Sequence, residues 1–229
     1  MTGSRRDGAP LSGEAALVEV SGPAAVWSRL QRGNQRFVDG EPRHPRQDVD
    51  RRTELANAQT PAAAVFGCSD SRLAAEIIFD MGLGDLFVVR NAGQVISGSV
   101  LGSLEYAVAV LKVPLILVLG HDGCGAVQAA VDAQAPDAVP LPVHIQRIIE
   151  KIVPAVHRVV AATDATLTDP GTIDALRVGR EHLRDTVTEL LEHSEVISDA
   201  VAAGTLAIVG ANYRLLEGRA VPDVVVGIV

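Results

Sequence analysis

Both cysteines of the chain stand in short motifs that carry a second potential metal ligand. Cys68 is followed two residues later by Asp70, and Cys124 lies three residues after His121. Two thiolates, an imidazole and a carboxylate form a ligand set that suits Zn²⁺, whereas Mg²⁺ and Ca²⁺ prefer oxygen ligands. The alternatives are two unrelated buried thiols or a disulfide, and nothing in the sequence indicates the oxidising compartment that a disulfide needs. The use of every cysteine in a matched pair favours a metal site.

Each motif directly follows a short apolar run. The runs, residues 62–66 and 115–119, are bounded by Pro or Gly and consist of apolar side chains, which is typical of buried strands in a parallel sheet. Glycines such as Gly67 and Gly120 allow the backbone to bend after each strand. Because open parallel sheets place ligand sites at the carboxyl ends of their strands, we expect the two motifs to meet there.

The rest of the chain alternates between strand-like and helix-like patterns, which predicts an α/β fold with a mostly parallel sheet. The predicted strands are residues 62–66, 86–89, 115–119 and 206–209, followed by a hairpin turn at Glu217 and Gly218 into residues 219–221. The predicted helices are residues 24–38, 48–58, 73–81, 100–111, 124–133, 143–162, 172–193 and 197–203. Residues 1–22 are expected to form a tail, and residues 23–229 a single domain.

Charge and hydropathy restrict the partners and the location. The net charge is −8 and there is no basic run, so neither nucleic acid nor an anionic membrane is expected as a partner. No apolar stretch approaches the ~20 residues of a membrane-spanning helix. No apolar segment follows Arg5 and Arg6, so no signal peptide is expected and the cytoplasm is the expected location. The apolar terminus, residues 224–229, is expected to be buried against the body or a neighbouring subunit.

Two segments resemble the signature motifs of a known family, the β-class carbonic anhydrases. They are residues 68–72, Cys-Ser-Asp-Ser-Arg, and residues 120–125, Gly-His-Asp-Gly-Cys-Gly. Further likeness lies in residues 33–37, 85–93, 103–108 and 207–210 and in Tyr213, so that the resemblance covers residues 24–220. It implies four parallel strands plus an antiparallel edge strand, flanked by helices. It also implies a homodimer or homotetramer in which the N-terminal helices reach onto a partner subunit.

The reaction implied by the resemblance is the reversible hydration of CO₂ to bicarbonate and a proton. One Zn²⁺ per subunit, held by Cys68, His121 and Cys124, lowers the pKa of bound water, and the resulting hydroxide attacks CO₂. Asp70 then has two possible roles: it is a fourth zinc ligand, or it pairs with Arg72 and orients the nucleophile. A plain surface ion pair is the alternative for Asp70 and Arg72, and the proximity of Cys68 argues against it.

By the same resemblance, a small apolar pocket receives the substrate. Its residues are Gln59, Phe87, Ala92, Val95, Tyr106 and Gly125. Gln59 occupies the place of a glutamine that the open-site, plant-like members bring from a neighbouring subunit as a donor to the substrate. Members regulated by bicarbonate carry a tryptophan three residues before the first cysteine, where this chain has Val65. Arg90 and Tyr213 resemble other parts of that regulatory pocket, but without the tryptophan we expect the open, unregulated type.

Two other functions fit the same motifs. The first is hydrolysis of a CO₂ analogue, carbonyl sulfide or carbon disulfide, with the same ligands and a different pocket. The second is a non-catalytic zinc-stabilised protein with four permanent ligands; Arg72 and Gln59 argue against it, because a structural site needs neither. The other histidines have no Cys or acidic partner at ligand spacing and are expected at surface or helix positions: His44, His144, His157, His182 and His193.

Overall fold

The computed structural model of the protein describes residues 22–229, so the expected tail lies outside the described residues except for Gly22. Its strands are β1 (Ala63–Cys68), β2 (Leu86–Asn91), β3 (Leu115–His121), β4 (Ala207–Arg214) and β5 (Arg219–Val226). They form one five-stranded sheet in the order β2-β1-β3-β4-β5. The first four strands run parallel, and β5 pairs antiparallel with β4. The predicted α/β class and its antiparallel edge strand are confirmed.

Helices cover both faces of this sheet. They are α1 (Pro23–Val38), α2 (Val49–Glu54), α3 (Ala75–Ile78), α4 (Gly98–Ala109), α5 (Gly125–Asp132), α6 (Val143–Ile149), α7 (Val153–Ala161), α8 (Ala175–His193) and α9 (Glu195–Ala202). Short 3₁₀ turns lie at Ala92–Gln94 and Pro170–Thr172. None of the helices in residues 22–229 combines the length and the apolar composition needed to cross a bilayer.

Side chains alternate between the two faces of the sheet and so form two cores. Val65 and Leu117 belong to the core that α1, α5 and α7 cover, whereas Phe66, Ile116 and Val118 belong to the core that α4, α8 and α9 cover. Every residue of β1 and β3 is buried. Burial on both faces explains why these two strands appear in the sequence as continuous apolar runs.

The pairing register brings three strand ends to one edge of the sheet. β1 pairs with β3 as far as Gly67 and Leu119, and with β2 as far as Cys68 and Asn91. β1 and β3 each extend two residues beyond their predicted ends, to Cys68 and His121. The candidate ligands therefore belong to the strands themselves, where backbone pairing fixes their position.

Two helices differ from their predictions because of proline and a capping residue. The single helix predicted over residues 143–162 is divided into α6 and α7, since Pro154 lies in the first turn of α7, where a missing N–H costs nothing. α8 begins at Ala175 and not at residue 172, since the Asp174 side chain accepts a hydrogen bond from the N–H of Leu176 and caps the helix there. The helices predicted over residues 48–58 and 73–81 are shorter than expected.

The apolar C-terminus is only partly covered within one chain. Val224 and Val226 pack against the core that α8 and α9 cover. Val225 and Ile228 are 45% and 75% exposed. The expected burial is therefore met on the inner side of β5, while the outer side and the last residues remain exposed in a single chain.

A buried carboxylate holds the N-terminal region against the body of the protein. Asp80, which is 3% exposed, accepts hydrogen bonds from Nε of Arg36 at 2.6 Å and from the N–H groups of Arg43 and His44 at 3.0 and 2.9 Å. Burial by itself raises the pKa of Asp80, but the hydrogen bonds from these three residues outweigh burial and lower it. Asp85 is buried nearby and pairs with two further arginines in the same way.

Asp80→Asn is expected to lower the free energy of unfolding near neutral pH by about 2 kcal/mol, because hydrogen bonds to a charged group are worth about 1.5–3 kcal/mol. Folding lowers the pKa of Asp80, so the carboxylate contributes stability above its ordinary pKa of 3.8 and loses that contribution as the pH falls through the lower folded value. In urea unfolding, the difference between the variant and the wild type should therefore be largest near neutral pH and shrink below about pH 4.

Asp137→Asn is the control for this prediction, because Asp137 is exposed. It should change the unfolding free energy little at either pH. A destabilisation by Asp80→Asn that is equal in neutral and acidic buffer would show that the charge of Asp80 contributes nothing.

Candidate metal centre

Three side chains from two strand ends and the start of one helix converge at the carboxyl edge of the sheet. Cys68 ends β1, His121 ends β3, and Cys124 immediately precedes α5. Their two sulfurs and one ring nitrogen lie within 4.8 Å of one another, and all three residues are buried. The structure thus brings together three of the four side chains that the sequence predicts as metal ligands.

The tautomer of His121 leaves one ring nitrogen available to a metal. Nδ1 lies 2.8 Å from the carbonyl oxygen of Asp122, which only accepts hydrogen bonds, so Nδ1 carries the hydrogen. Nε2 keeps its lone pair and is buried without a hydrogen-bond partner among residues 22–229. Burial of an unpaired polar nitrogen costs free energy, and a metal ion is a partner that satisfies it.

Backbone N–H groups surround both sulfurs. The N–H of Gly93 donates to Sγ of Cys68 at 3.4 Å. The N–H groups of Val127 and Ala126, in the first turn of α5, interact with the Cys124 sulfur and favour its thiolate. Both sulfurs are therefore held where partial positive charge favours the thiolate, the form that binds metals.

The two neighbouring sulfurs shift each other's pKa in opposite directions. A hydrogen bond from Cys124 lowers the pKa of Cys68 to about 4, against the raising effect of burial. The same hydrogen bond, followed by burial, raises the pKa of Cys124. A divalent cation favours the thiolate form of both residues, because thiol ligands bind metals in their deprotonated form.

This donor set fits Zn²⁺. Two thiolates and a neutral imidazole are the three protein ligands of one known type of catalytic zinc site, which keeps its fourth position for water or substrate. The peptide oxygen of Asp122 orients His121 from behind, as the outer partners of metal-bound histidines do.

Asp70, the fourth predicted ligand, is paired with Arg72 and lies outside the cluster of three ligands. Nε and Nη2 of Arg72 donate to the two carboxylate oxygens at 2.9 and 2.7 Å, and the backbone N–H of Arg72 donates at 2.9 Å. Nη2 also donates to the carbonyl oxygen of Gly123 at 3.3 Å, which connects the pair to the second motif. The Arg72 guanidinium holds the pKa of Asp70 well below its usual range. Of the two predicted arrangements of Asp70, the structure has the pairing with Arg72.

Arg90 fixes the turn that carries Asp70. Its Nε donates to the carbonyl oxygen of Cys68 at 2.9 Å, and its Nη2 donates to that of Asp70 at 2.6 Å. The guanidinium is therefore occupied by the backbone between the first ligand and Asp70. Val65 and Arg90 are two of the eight residues that line a cavity of about 10 Å³ beside Cys68, which is at the lower limit for a single water molecule.

A cleft of about 270 Å³ reaches the ligands from the protein surface. His121 and Cys124 form its inner wall, and Arg180, Tyr213 and Arg214 lie among the residues of its other walls. His121 and Cys124 are thus buried and yet border a space that small solutes can enter.

Half of the predicted pocket residues lie next to the ligands of their own chain. Ala92 directly follows β2, whose last residue pairs with Cys68, and Gly125 directly follows Cys124. Val95 is buried at the end of the same turn as Ala92. Strand pairing and chain order thus place Ala92 and Gly125 beside the ligands, although neither they nor Val95 line the cleft.

The other three predicted pocket residues lie away from the ligands of their own chain. Phe87 and Tyr106 contact each other with ring centroids 6.1 Å apart. Phe87 pairs with Ala64, four residues before Cys68 in β1, which is about 13 Å at ~3.3 Å per strand residue. Gln59 is exposed in the segment before β1, at the opposite end of that strand from Cys68. One chain does not bring these three residues to its own metal centre.

Sequence analysis missed the residues that hold the turn behind Cys68. The Asn91 side chain accepts from the N–H of Val95 at 2.9 Å and donates to its carbonyl oxygen at 2.7 Å. Nε2 of His182 donates to the carbonyl oxygen of Gly93 at 2.7 Å. The segment Asn-Ala-Gly after an apolar strand is a turn signal that could have identified the first of these contacts. His182 is on a helix, as expected, but it is 1% exposed, and nothing local to α8 marks it.

Comparisons with known proteins agree with this geometry. A family model described as carbonic anhydrase matches residues 63–220. The carbonic anhydrase of Mycolicibacterium smegmatis is 50% identical over 199 residues, which cover 87% of this chain and 92% of that protein. Among solved structures, the β-carbonic anhydrase of Coccomyxa in complex with acetazolamide has a TM-score of 0.64 and 26% identity, covering 85% of each chain. A tetrameric β-carbonic anhydrase of Sordaria macrospora has a TM-score of 0.64 and 25% identity, covering 74% of this chain and 84% of that chain.

Gly93→Ala is expected to weaken the binding of Zn²⁺ by about 10–100-fold, the range seen when outer partners of metal ligands are lost. Gly93 has φ +74°, and an added Cβ would lie 2.8 Å from Cβ of Ala126 and 3.2 Å from Cδ1 of Ile152. The residue must therefore shift, and its N–H moves away from Sγ of Cys68. Competition with a chromophoric chelator measures the dissociation constant.

Gly102→Ala is the matched control. Gly102 lies in α4, and a Cβ added there meets nothing within 4 Å. Its zinc affinity should equal that of the wild type, and its stability should be equal or higher, because alanine favours helix over glycine. Unchanged zinc affinity in Gly93→Ala would show that the hydrogen bond to Cys68 has no role.

Proposed function

We propose that Cys68, His121 and Cys124 hold one catalytic zinc ion per subunit, since the chain belongs to the β-carbonic anhydrase family and is an enzyme of reversible CO₂ hydration. The observation that carries the zinc assignment is the buried cluster of Cys68, His121 and Cys124, whose two sulfurs and one ring nitrogen lie within 4.8 Å of one another. Nε2 of His121 has no hydrogen-bond partner among residues 22–229. Two thiolates beside an imidazole favour zinc over the oxygen-seeking divalent cations.

The residues around the ligands supply orientation and charge. When bound, zinc acts as a Lewis acid that makes hydroxide available near neutral pH. Asp70 stays ionised because Arg72 donates three hydrogen bonds to it. Its carboxylate would accept the hydrogen of the attacking oxygen and so direct a lone pair of that oxygen towards CO₂. The planar fork of Arg72 fixes the carboxylate in this orientation, which a flexible lysine would not do.

A second copy of the chain completes the substrate pocket in this proposal. Gln59, Phe87 and Tyr106 lie away from the ligands of their own chain but are accessible to a neighbour: Gln59 is exposed and Tyr106 is 44% exposed. The edge strand β2 and the outer side of β5 leave apolar side chains uncovered, among them Val88 and Val225. Such surface favours a homodimer or a homotetramer.

We assign the site to the open type that bicarbonate does not regulate. Val65 is 1% exposed inside the core, and Arg90 donates to two backbone carbonyls, so the guanidinium is already occupied. Val65 and Arg90 line, together with six other residues, a cavity of about 10 Å³, which is too small for an anion of several atoms because it is at the lower limit for a single water.

No observation favours the two other functions. A non-catalytic zinc site needs four permanent protein ligands, and Asp70 is bound to Arg72 and lies outside the ligand cluster. Nothing in the cleft distinguishes carbonyl sulfide or carbon disulfide as a substrate. The two free, buried cysteines suit a reducing compartment, and we propose the cytoplasm.

Arg72→Ala is expected to lower the rate of CO₂ hydration by about 10²–10³-fold, the cost of losing a preorganised polar contact at the reacting atoms. Zinc content should stay at one ion per subunit, because Arg72 is not a ligand. Stopped-flow CO₂ hydration and metal analysis of the same preparation test both statements, and the wild type in this assay tests the function itself. Arg72→Lys keeps the positive charge but lacks the planar guanidinium, so its rate of CO₂ hydration should lie between those of the wild type and Arg72→Ala.

Arg177→Ala, at an exposed arginine of α8, is the control and should match the wild type. Full activity of Arg72→Ala would exclude the orienting role of the Asp70–Arg72 pair. Loss of zinc from that variant would instead assign the pair to metal binding.

Gln59→Ala is expected to slow CO₂ hydration without loss of zinc, because Gln59 acts from the neighbouring subunit as a donor and not as a ligand. Sedimentation should show at least a dimer for the wild type and for the variant. Asn57→Ala, two residues away in the same exposed segment, should have full activity.

Mixed dimers test whether Gln59 acts across the interface. Gln59→Ala and His121→Ala chains are refolded together. In a mixed dimer, the intact metal centre of the Gln59→Ala chain lies beside the intact Gln59 of the His121→Ala chain. Activity should then reappear from two weakly active partners. Absence of this complementation, or a fully active monomer, would refute the shared site.

A further inference from the structure

His182 is a buried polar residue that lies directly behind the first candidate ligand. It lies on α8, more than a hundred residues after Cys68, and is 1% exposed. Its Nε2 donates to the carbonyl oxygen of Gly93 at 2.7 Å, and the N–H of Gly93 donates to Sγ of Cys68 at 3.4 Å. One residue, Gly93, therefore connects α8 to a sulfur of the metal centre.

The turn around Gly93 has a backbone conformation that needs support. Gly93 has φ +74° and Gln94 has φ +41°, so two consecutive residues lie in the left-handed region, which costs free energy for a residue such as Gln94. Asn91 holds the two ends of the turn through its bonds to Val95. Within the turn, His182 is the side chain that holds Gly93.

The chemistry of the His182 ring indicates a donor and not a packing residue. Burial lowers the pKa of His182, so the ring is neutral near neutral pH. The carbonyl oxygen of Gly93 only accepts, so the single ring hydrogen is on Nε2. Nδ1 is buried without a partner among the described residues. His182 is 1% exposed, and a polar ring buried to this extent costs free energy unless its donor is hydrogen-bonded.

We propose that His182 is a positioning residue of the metal centre, whose Nε2–H holds Gly93 so that the Gly93 N–H stays directed at Sγ of Cys68. The inference rests on the proposed zinc site. The Gly93 N–H stabilises the Cys68 thiolate and fixes the position of its sulfur, as outer hydrogen-bond partners do for other metal ligands. Removal of the His182 donor lets the left-handed turn relax and withdraws the N–H from the sulfur.

The test compares two kinds of substitution in the full-length protein. His182→Leu and His182→Met remove the donor and retain apolar bulk, whereas His182→Gln keeps an N–H near the position of Nε2. We expect the dissociation constant for Zn²⁺ to rise about 10-fold in the Leu and Met variants, and to stay near the wild-type value in the Gln variant. In Co²⁺-substituted protein, the thiolate-to-cobalt absorption should shift in the Leu and Met variants only.

Leu190→Ala is the control for general destabilisation, because Leu190 is fully buried on the same helix and belongs to the apolar core. It should lower the unfolding temperature without changing zinc affinity or the cobalt spectrum. If only one of His182→Leu and His182→Met folds, that variant alone is compared with His182→Gln.

Three outcomes would overturn the inference. The first is wild-type zinc affinity and cobalt absorption in the folded Leu or Met variant. The second is an equal loss of affinity in His182→Gln, which would show that the hydrogen bond is not the cause. The third is a wild-type protein that binds no zinc, which would overturn the proposed function as well. The first two outcomes leave that function intact if the wild type binds zinc and hydrates CO₂.

Discussion

The parallel pairing of β1 with β3 is the constraint on which the rest of the structure depends. Both strands are buried on both faces, so their register is held by two cores as well as by backbone hydrogen bonds. A slip of one residue would reverse every side chain of a strand. It would move Cys68 away from His121. It would also exchange the apolar side chains of the strand between the two faces of the sheet, so that neither core would be packed correctly. The same burial that stabilises the sheet therefore sets the distance between ligands that are far apart in the sequence.

The two sulfurs and the Asp70 carboxylate concentrate negative charge at this edge, and the surrounding residues compensate for it in two ways. Arg72 and Arg90 hold the carboxylate and the backbone of the first motif. Backbone N–H groups, from Gly93 and from the start of α5, face the sulfurs. Backbone donors suit the sulfurs because a further full positive charge beside the ligands would repel a divalent cation, whereas peptide dipoles stabilise a thiolate at a smaller electrostatic cost.

The sequence predicted what is encoded locally. The sequence predicts the two ligand motifs, the strands before them and the hairpin that leads into the antiparallel edge strand. Each of these features depends on residues that lie within a few positions of one another. Pro154 is also a local signal, because a proline in a first helical turn marks the point where residues 143–162 divide into α6 and α7. Other features depend on the tertiary fold: the burial of Asp80 beneath α1 and the contact of His182 with Gly93 join residues tens to nearly ninety positions apart. No period or motif marks such residues, since on their own helix or loop they look like ordinary surface positions.

The placement of Phe87 and Tyr106 shows how the candidate metal ligands differ from the proposed substrate pocket. The ligands, Asp70 and the residues that orient them all belong to one chain and meet at one sheet edge. The aromatic pair lies about four strand residues, or ~13 Å, away from that edge on β2 and α4. In the proposed assembly, metal binding is then a property of the single fold, while the substrate pocket depends on the contact between chains. A weakened interface would reduce turnover before it reduced metal affinity, because the groups that hold the ion do not cross the interface.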